Sequence, residues 1–326
     1  MSSEAVNQQE ISSPESSLKY RGRISQIFIY LGKFFRMFIY QSDWKVLPFG
    51  AVIAAIVTFV VGANMFKTQE GTINGAFALT CCCIWNGFFN SIQVVCRERN
   101  IVKREHRAGL HASSYIIAHM LYQLVLCLAQ TIVTLLICWV AKVQLPVKGV
   151  VTPWGIVDLG ITILLTTYAA DMLALMVSCI VHTTTTAMTV MPFLLIFQLV
   201  FSGAFFQLQG VAQKITALTI SRWGMESMCA VGRFNELPMV TLWNTIFKFK
   251  DVEFYGEKPI LYAIQTIEEK GKVNDFLLWS GQSSQRIEYA SEFTRVLQNW
   301  GWLLLITAVS VLIAVIALKL IDRDKR

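Results

Sequence analysis

Arg97-Glu98-Arg99-Asn100-Ile101-Val102-Lys103-Arg104-Glu105-His106-Arg107-Ala108-Gly109 is a short, densely basic stretch set between two long apolar runs. Gly75–Cys96 precedes it and Ile116–Ala141 follows it, each with about the 20 apolar residues that a hydrocarbon core requires. A charged connection this short, between segments of that length, reads as an interhelical loop at a membrane surface. It is too short to be a domain, and its charge suits docking of a soluble partner.

Four further apolar runs continue the pattern: Leu47–Phe66, Ile156–Val181, Thr189–Gln207 and Trp300–Leu320. Six spans are therefore expected, and the fold class is an all-α integral membrane protein. Trp44, Tyr115, Trp139, Trp154, Trp300 and Trp302 flank them, as interfacial anchors do. Composition agrees: of 326 residues, 55% are hydrophobic and only 15% charged, against roughly 25% charged in soluble domains. The net charge of +7 sits in short loops and tails, which explains it through membrane orientation rather than nucleic-acid binding. Basic residues concentrate in the segment before Leu47, in the 97–112 loop and at Lys319, Arg323, Lys325 and Arg326, whereas the alternate short loops carry only Lys67, Lys142 and Lys148. This asymmetry places both termini in the cytoplasm.

Residues 1–17 are polar, lack an apolar run and read as a disordered cytoplasmic tail without a signal peptide. Within 18–46, Ile24, Ile27, Phe28, Leu31, Phe34, Phe35, Phe38 and Ile39 recur at helical spacing among Lys19, Arg21, Arg23, Lys33 and Arg36, the pattern of an amphipathic surface helix. Residues 47–207 hold the first five spans and 300–326 the last span with a basic tail. Between them, 208–299 starts apolar enough to re-enter the outer leaflet and continues as a small exterior cap with at least one helix.

Chemistry-bearing motifs are scarce. Gly32-Lys33 and Gly271-Lys272 are followed by Phe34 and Val273, so neither forms a phosphate-cradling P-loop. Ser280-Gly281-Gln282 shares three common residues with an ABC signature loop and is taken as chance. His106, His111, His119 and His182 form no metal-binding helical pair and are assigned to loop and interface positions. The eight cysteines, including the Cys81-Cys82-Cys83 triplet, lack zinc-ligand spacing and read as packing residues. An enzyme is not expected, and neither is a metal site or a cofactor bound by this chain.

Asp171 stands out as a carboxyl well inside the fourth span, where it costs about 2.5–3.5 kcal/mol. Such a residue either serves substrate or protons, or is protonated or bonded to Thr166, Thr167 or a neighbouring helix. Asp158, nearer the outer end, reads as interfacial. Asn86, Asn90 and Gln93, with Gln123 and Gln130, suit interhelical hydrogen bonds or the lining of a polar cavity.

Three stretches carry a family resemblance: the basic loop through Ser113-Ser114-Tyr115, the run Pro192–Leu208 with its Phe201-Ser202-Gly203 segment, and Ile220-Ser221-Arg222-Trp223-Gly224-Met225-Glu226-Ser227 followed by Asn235-Glu236. Together they resemble the type-two ABC exporter permeases of the G-subfamily and pleiotropic-drug-resistance kind, from the amphipathic helix to the C-terminus. The resemblance implies a connecting helix at 20–40 and a coupling helix at 97–112 resting on an ATPase, with Arg97, Arg99, Arg104, Glu105 and Arg107 as contacts. The Thr183–Thr186 turn would be a smaller second contact. It further implies two facing bundles, from a second copy or a paralogue, around a cavity with Asn86, Phe89, Asn90, Phe197 and Phe201 as lining candidates and Ala204, Phe205 and Phe206 at a gate.

Three departures from the family stand out: the expected ATPase domain does not precede the connecting helix, the exterior loop lacks cysteines, and Ala204 replaces a leucine at the gate. The first leaves two expectations: a separately encoded ATPase, holding ATP and Mg, and hence a bacterial cytoplasmic membrane, which is the favoured one, or a chain trimmed from a longer protein. The expected activity is ATP-driven export of a lipid-like, amphipathic or peptide cargo by alternating access. The competing reading is a non-transporting membrane receptor or immunity protein that binds its ligand through 208–299.

Overall fold

The computed structural model describes residues 22–40, 44, 46–203, 210–253, 255 and 257–320. Almost all of them are helical, and an isolated antiparallel bridge pairs Lys148 with Trp154.

The amphipathic segment forms α1 (Arg23–Tyr40). Ile27, Tyr30, Phe34 and Met37, spaced by three and four residues, turn one face towards the protein, while Ile24, Phe28 and Ile39 stay exposed. A helix apolar on both its protein side and its open side fits the boundary between protein, lipid and water. The expected tail of residues 1–17 lies outside the described residues.

The first span is α2 (Val46–Val61), apolar all round. Gly50, Ala54, Thr58 and Gly62 form its buried seam at four-residue spacing, whereas Phe49, Val52, Ile56 and Phe59 face outward. Small residues on the protein side let backbones approach closely, which is how helices associate in lipid. A Cβ on Gly50 would lie 3.0 Å from Asn86 Oδ1 of the next span.

That span, α3 (Gln69–Ser91), starts at Gln69 rather than Gly75, because Thr68 caps it by accepting the Gly71 N–H. After Ile92 and Gln93 the chain continues as α4 (Val94–Arg107), so the basic stretch is a helical extension of the span. Gly109, at φ 102°, allows the reversal into α5 (Ala112–Val140).

α6 (Gly155–Ile180) is the central helix. It packs on α3, α4 and α5 as well as on α9 (Ile220–Val231) and α13 (Phe293–Lys319). Ala169, Ala170 and Ala174 lie fully buried along it, and a Cβ on Gly87 of α3 would come within 2.4 Å of the Thr167 carbonyl. Asp158, expected near the outer end of its span, lies in the first turn of α6 and is fully buried within the protein. Its carboxylate accepts from the backbone N–H groups of Val150, Val151 and Thr152 at 2.6, 2.8 and 2.9 Å, which closes the preceding loop onto the helix.

The fifth apolar run, expected over Thr189–Gln207, forms the shorter α7 (Thr184–Val200). Thr183 caps its start by accepting the Thr186 N–H, so the expected Thr183–Thr186 turn is largely the first turn of a helix. Among the described residues, five helical segments are long and apolar enough to cross a membrane, and α7 is a further, shorter apolar helix. The last span starts at Phe293 rather than Trp300.

Between α7 and α13 the chain forms α8 (Val211–Thr216), α9, α10 (Thr241–Lys248), α11 (Pro259–Glu269) and α12 (Val273–Ser283), in line with the short helices and the helical cap that the sequence reading expected. α9 wedges between α3, α6 and α13 at the end of the bundle far from α4. There the first turn of α3 is pinned to the cap: the Gln69 N–H donates to the Pro238 carbonyl and Gln69 Nε2 to the Gly281 carbonyl.

Candidate functional site

α4 has no side-chain cap of its own. Its first amides are met instead by Ser178 of α6, whose hydroxyl oxygen accepts from the Val95 and Cys96 N–H groups at 3.0 and 3.2 Å. Arg99 reaches in the opposite direction and donates to the carbonyls of Cys179 and Val181, at and just beyond the C-terminus of α6. A cation is favourable at that helix end, where unpaired carbonyls concentrate negative potential.

α1 holds the other flank. Lys33 Nζ lies 3.3 Å from Glu98 Oε2, and the Tyr30 hydroxyl donates to Glu105 Oε2 at 2.8 Å. Gln26 donates to the Gly109 carbonyl and accepts the His111 N–H. Burial, and then the bonded Glu105 carboxylate, holds the Tyr30 phenol well above its usual pKa, so it remains a protonated donor.

These bonds divide α4 into two faces. Val95, Glu98 and Val102 are buried, and Arg99 and Glu105 point the same way. Arg97, Asn100, Ile101, Arg104 and Arg107 are exposed at spacings of three and four residues, forming one open, cationic face. Of the five residues expected to contact an ATPase, Arg97, Arg104 and Arg107 therefore lie outward, while Arg99 and Glu105 tie α4 to α6 and α1. The signal for this split was in the sequence: Val95, Glu98, Val102 and Glu105 repeat at helical spacing.

The expected cavity residues also separate. Trp85 and Phe89 are exposed on α3 with ring centroids 5.3 Å apart. Phe197 is exposed on α7, which touches α3, and its ring lies 4.8 Å from that of Phe201. Asn86 instead faces α2 at Gly50. Asn90 is buried and exchanges two 3.0 Å hydrogen bonds with Gln130 of α5. Ala204, Phe205 and Phe206 lie outside the described residues.

Gln123 donates to the Asn90 carbonyl and to Ser91 Oγ, extending the interhelical polar contacts. Asp171 is fully buried beside them; its Oδ2 accepts from Cys127 Sγ at 3.4 Å, and Oδ1 meets no donor at hydrogen-bonding geometry among the described residues. Thr166 and Thr167 bond their own helix turn, so they are not its partners. His119, expected near a loop or interface, is buried in α5 and stacked on Phe34 at 3.9 Å. Its periodicity with Tyr115 and Tyr122 marks the face of α5 that receives α1.

A cavity of about 340 Å³ opens between α1, the α3–α4 junction and α5. Asn90, Gln123 and His119 line it together with Phe34, Met37 and Leu126.

Residues 26–231, from α1 through α9, match the family model of the ABC-2 type transporter. The match spans more than half of the chain, and the protein belongs to this family. It is an integral membrane permease component of an ABC transporter, a class that works with an ABC ATPase. A comparison with curated proteins finds no match.

Proposed function

We propose that the chain is the membrane-spanning subunit of an ATP-driven exporter similar to the G-subfamily and pleiotropic-drug-resistance transporters, with α4 as its coupling helix. The observation that carries this reading is the division of α4 into a bundle-tied face and an open cationic face bearing Arg97, Arg104 and Arg107. A helix bonded to α6 through Ser178 and Arg99 and to α1 through Glu98 and Glu105 moves as one body with the span it extends. Force applied to the open face would then reach the bundle.

In this arrangement α4 and both termini are cytoplasmic, and the α10–α12 cap lies outside. ATP and Mg belong to the partner ATPase, and this chain binds no cofactor. The exposed aromatics of α3 and α7 face a second copy or a paralogue across a central cavity, and the apolar lining suits a lipid-like or amphipathic cargo. Alternating access follows when ATPase closure rocks the two bundles.

Copurification of an ABC ATPase from native membranes, with its hydrolysis stimulated by the reconstituted chain, is the expected result. Arg104→Glu is expected to abolish both while leaving the melting temperature of the chain unchanged. Full ATPase association in that variant, or labelling of a thiol introduced at Arg104 by an impermeant reagent on intact cells, overturns the assignment.

A further inference from the structure

Asp171 is a carboxyl without a counter-charge. It is fully buried, and the side chains beside it are Asn90 and Ser91 at the end of α3 and Cys127 of α5, all uncharged. The Cys127 thiol donates to Oδ2, while Oδ1 meets no donor among the described residues. The cations of the packed helices are engaged or distant. Lys33 pairs with Glu98, Arg222 with Glu226, and Arg99 donates to carbonyls at the end of α6. Arg295 and Lys319 sit near the two ends of α13, and neither ring nitrogen of His119 makes a hydrogen bond. An ionised carboxylate in such a place carries a large desolvation penalty with nothing to offset it. The neutral acid avoids that penalty, and its one hydrogen then requires an acceptor.

Gln123 supplies the acceptor. Its Nε2 donates to the Asn90 carbonyl and to Ser91 Oγ, which fixes the amide with Oε1 as the remaining atom, and Oε1 has no donor among the described residues. Gln123 and Cys127 lie one helical turn apart on the same face of α5, and both Gln123 and Asp171 lie beside Ser91. Two orphaned acceptors meeting in one buried place are satisfied together by a single hydrogen. Space argues against water, because both oxygens are sealed and no void of water size touches them. Ligand number argues against a hard metal cation, which gathers about six oxygens. A proton needs neither room nor a shell.

We propose that Asp171 is a proton site, its carboxyl held neutral with the hydrogen on Oδ1 donated to Gln123 Oε1, and that this clasp joins α6 to α5 behind the last turn of α3. Asn90 and Ser91 end α3 just before α4 begins, so the clasp sits at the joint between that span and its basic extension. Without the hydrogen, two acceptors and a bare charge would face each other in a sealed site, and α5 would part from α6 there. The inference goes beyond the exporter reading and does not depend on it.

The test is isotope-edited infrared spectroscopy of the full chain in dodecyl maltoside at neutral pH, with the aspartate side-chain carboxyls labelled with carbon-13. A protonated-carboxyl C=O stretch is expected in the wild type, to be lost in Asp171→Asn. Gln123→Leu removes the acceptor and should move that band to higher frequency without abolishing it. Cys127→Ser replaces the thiol on Oδ2 by a stronger donor and should move it to lower frequency, which assigns the band to Asp171 even if the other two variants fail to fold.

A wild-type spectrum with ionised aspartates alone overturns the proposal. A band untouched by Cys127→Ser belongs to another carboxyl and overturns it too. A band that Gln123→Leu leaves in place, in a natively melting variant, gives the hydrogen to some other acceptor and removes the clasp. Loss of the band on adding sodium would make the site one for a metal cation instead, which also defeats the assignment.

Discussion

Ser178 shows how much one hydroxyl can decide. It is fully buried and accepts two backbone N–H groups from the start of α4. Ser178→Ala leaves both amides without a partner in a water-poor site, which costs about 1–3 kcal/mol. A lower melting temperature of the purified chain is the expected reading, and an unchanged one would show that the amides find another acceptor. Tyr30 works differently, because the Tyr30–Glu105 bond is only partly buried. Tyr30→Phe is expected to cost about 1 kcal/mol of stability yet to weaken stimulation of the partner ATPase. It removes one of the bonds that tie α4 to α1 and leaves Lys33–Glu98 and the Gln26 bonds. Equal ATPase stimulation in wild type and variant would reduce that bond to a local support.

Among elements, α3 and α4 form the long member of the structure, with α4 at one end and the α10–α12 cap at the other. Gly87 sits where α3 meets α6, and Gly87→Ala would force a methyl within 2.4 Å of the Thr167 carbonyl. The helices must separate, and the variant should lose about 1–3 kcal/mol in denaturant melts. At the far end, the Glu70 carboxylate accepts from the Val240 and Thr241 N–H groups at 3.0 and 2.7 Å and so caps α10 from another element. Glu70→Ala should cost about 1 kcal/mol at that helix start. Faster cleavage at Lys248 and Lys250 by trypsin, with little change in bundle melting, is the outcome to look for. Cleavage at the wild-type rate would argue that the remaining Gln69 bonds hold the cap alone.

Across the whole molecule, the spans surround α6, while α7 remains lightly packed and exposes Phe193, Ile196 and Phe197. An apolar face of this extent on a helix beside α3 fits the proposed facing of two bundles. Replacing Phe197 and Phe201 together with Ala is expected to alter export in reconstituted vesicles, whereas unchanged transport would move the cargo route elsewhere.

The all-helical membrane class, the approximate spans and the amphipathic α1 were legible in the sequence because hydropathy and helical period are properties of neighbouring residues. The same holds for the open arginines of α4, which follow from its own periodicity. Tertiary structure alone decided that Arg99 serves the end of α6, that Asp158 closes a loop, that Asn86 faces α2 and that His119 stacks beneath α1. Each of these depends on which distant or locally refolded backbone groups arrive within about 3–4 Å, the range of hydrogen bonds and ring contacts. No pattern along one helix specifies that meeting, and it forms only when the helices pack.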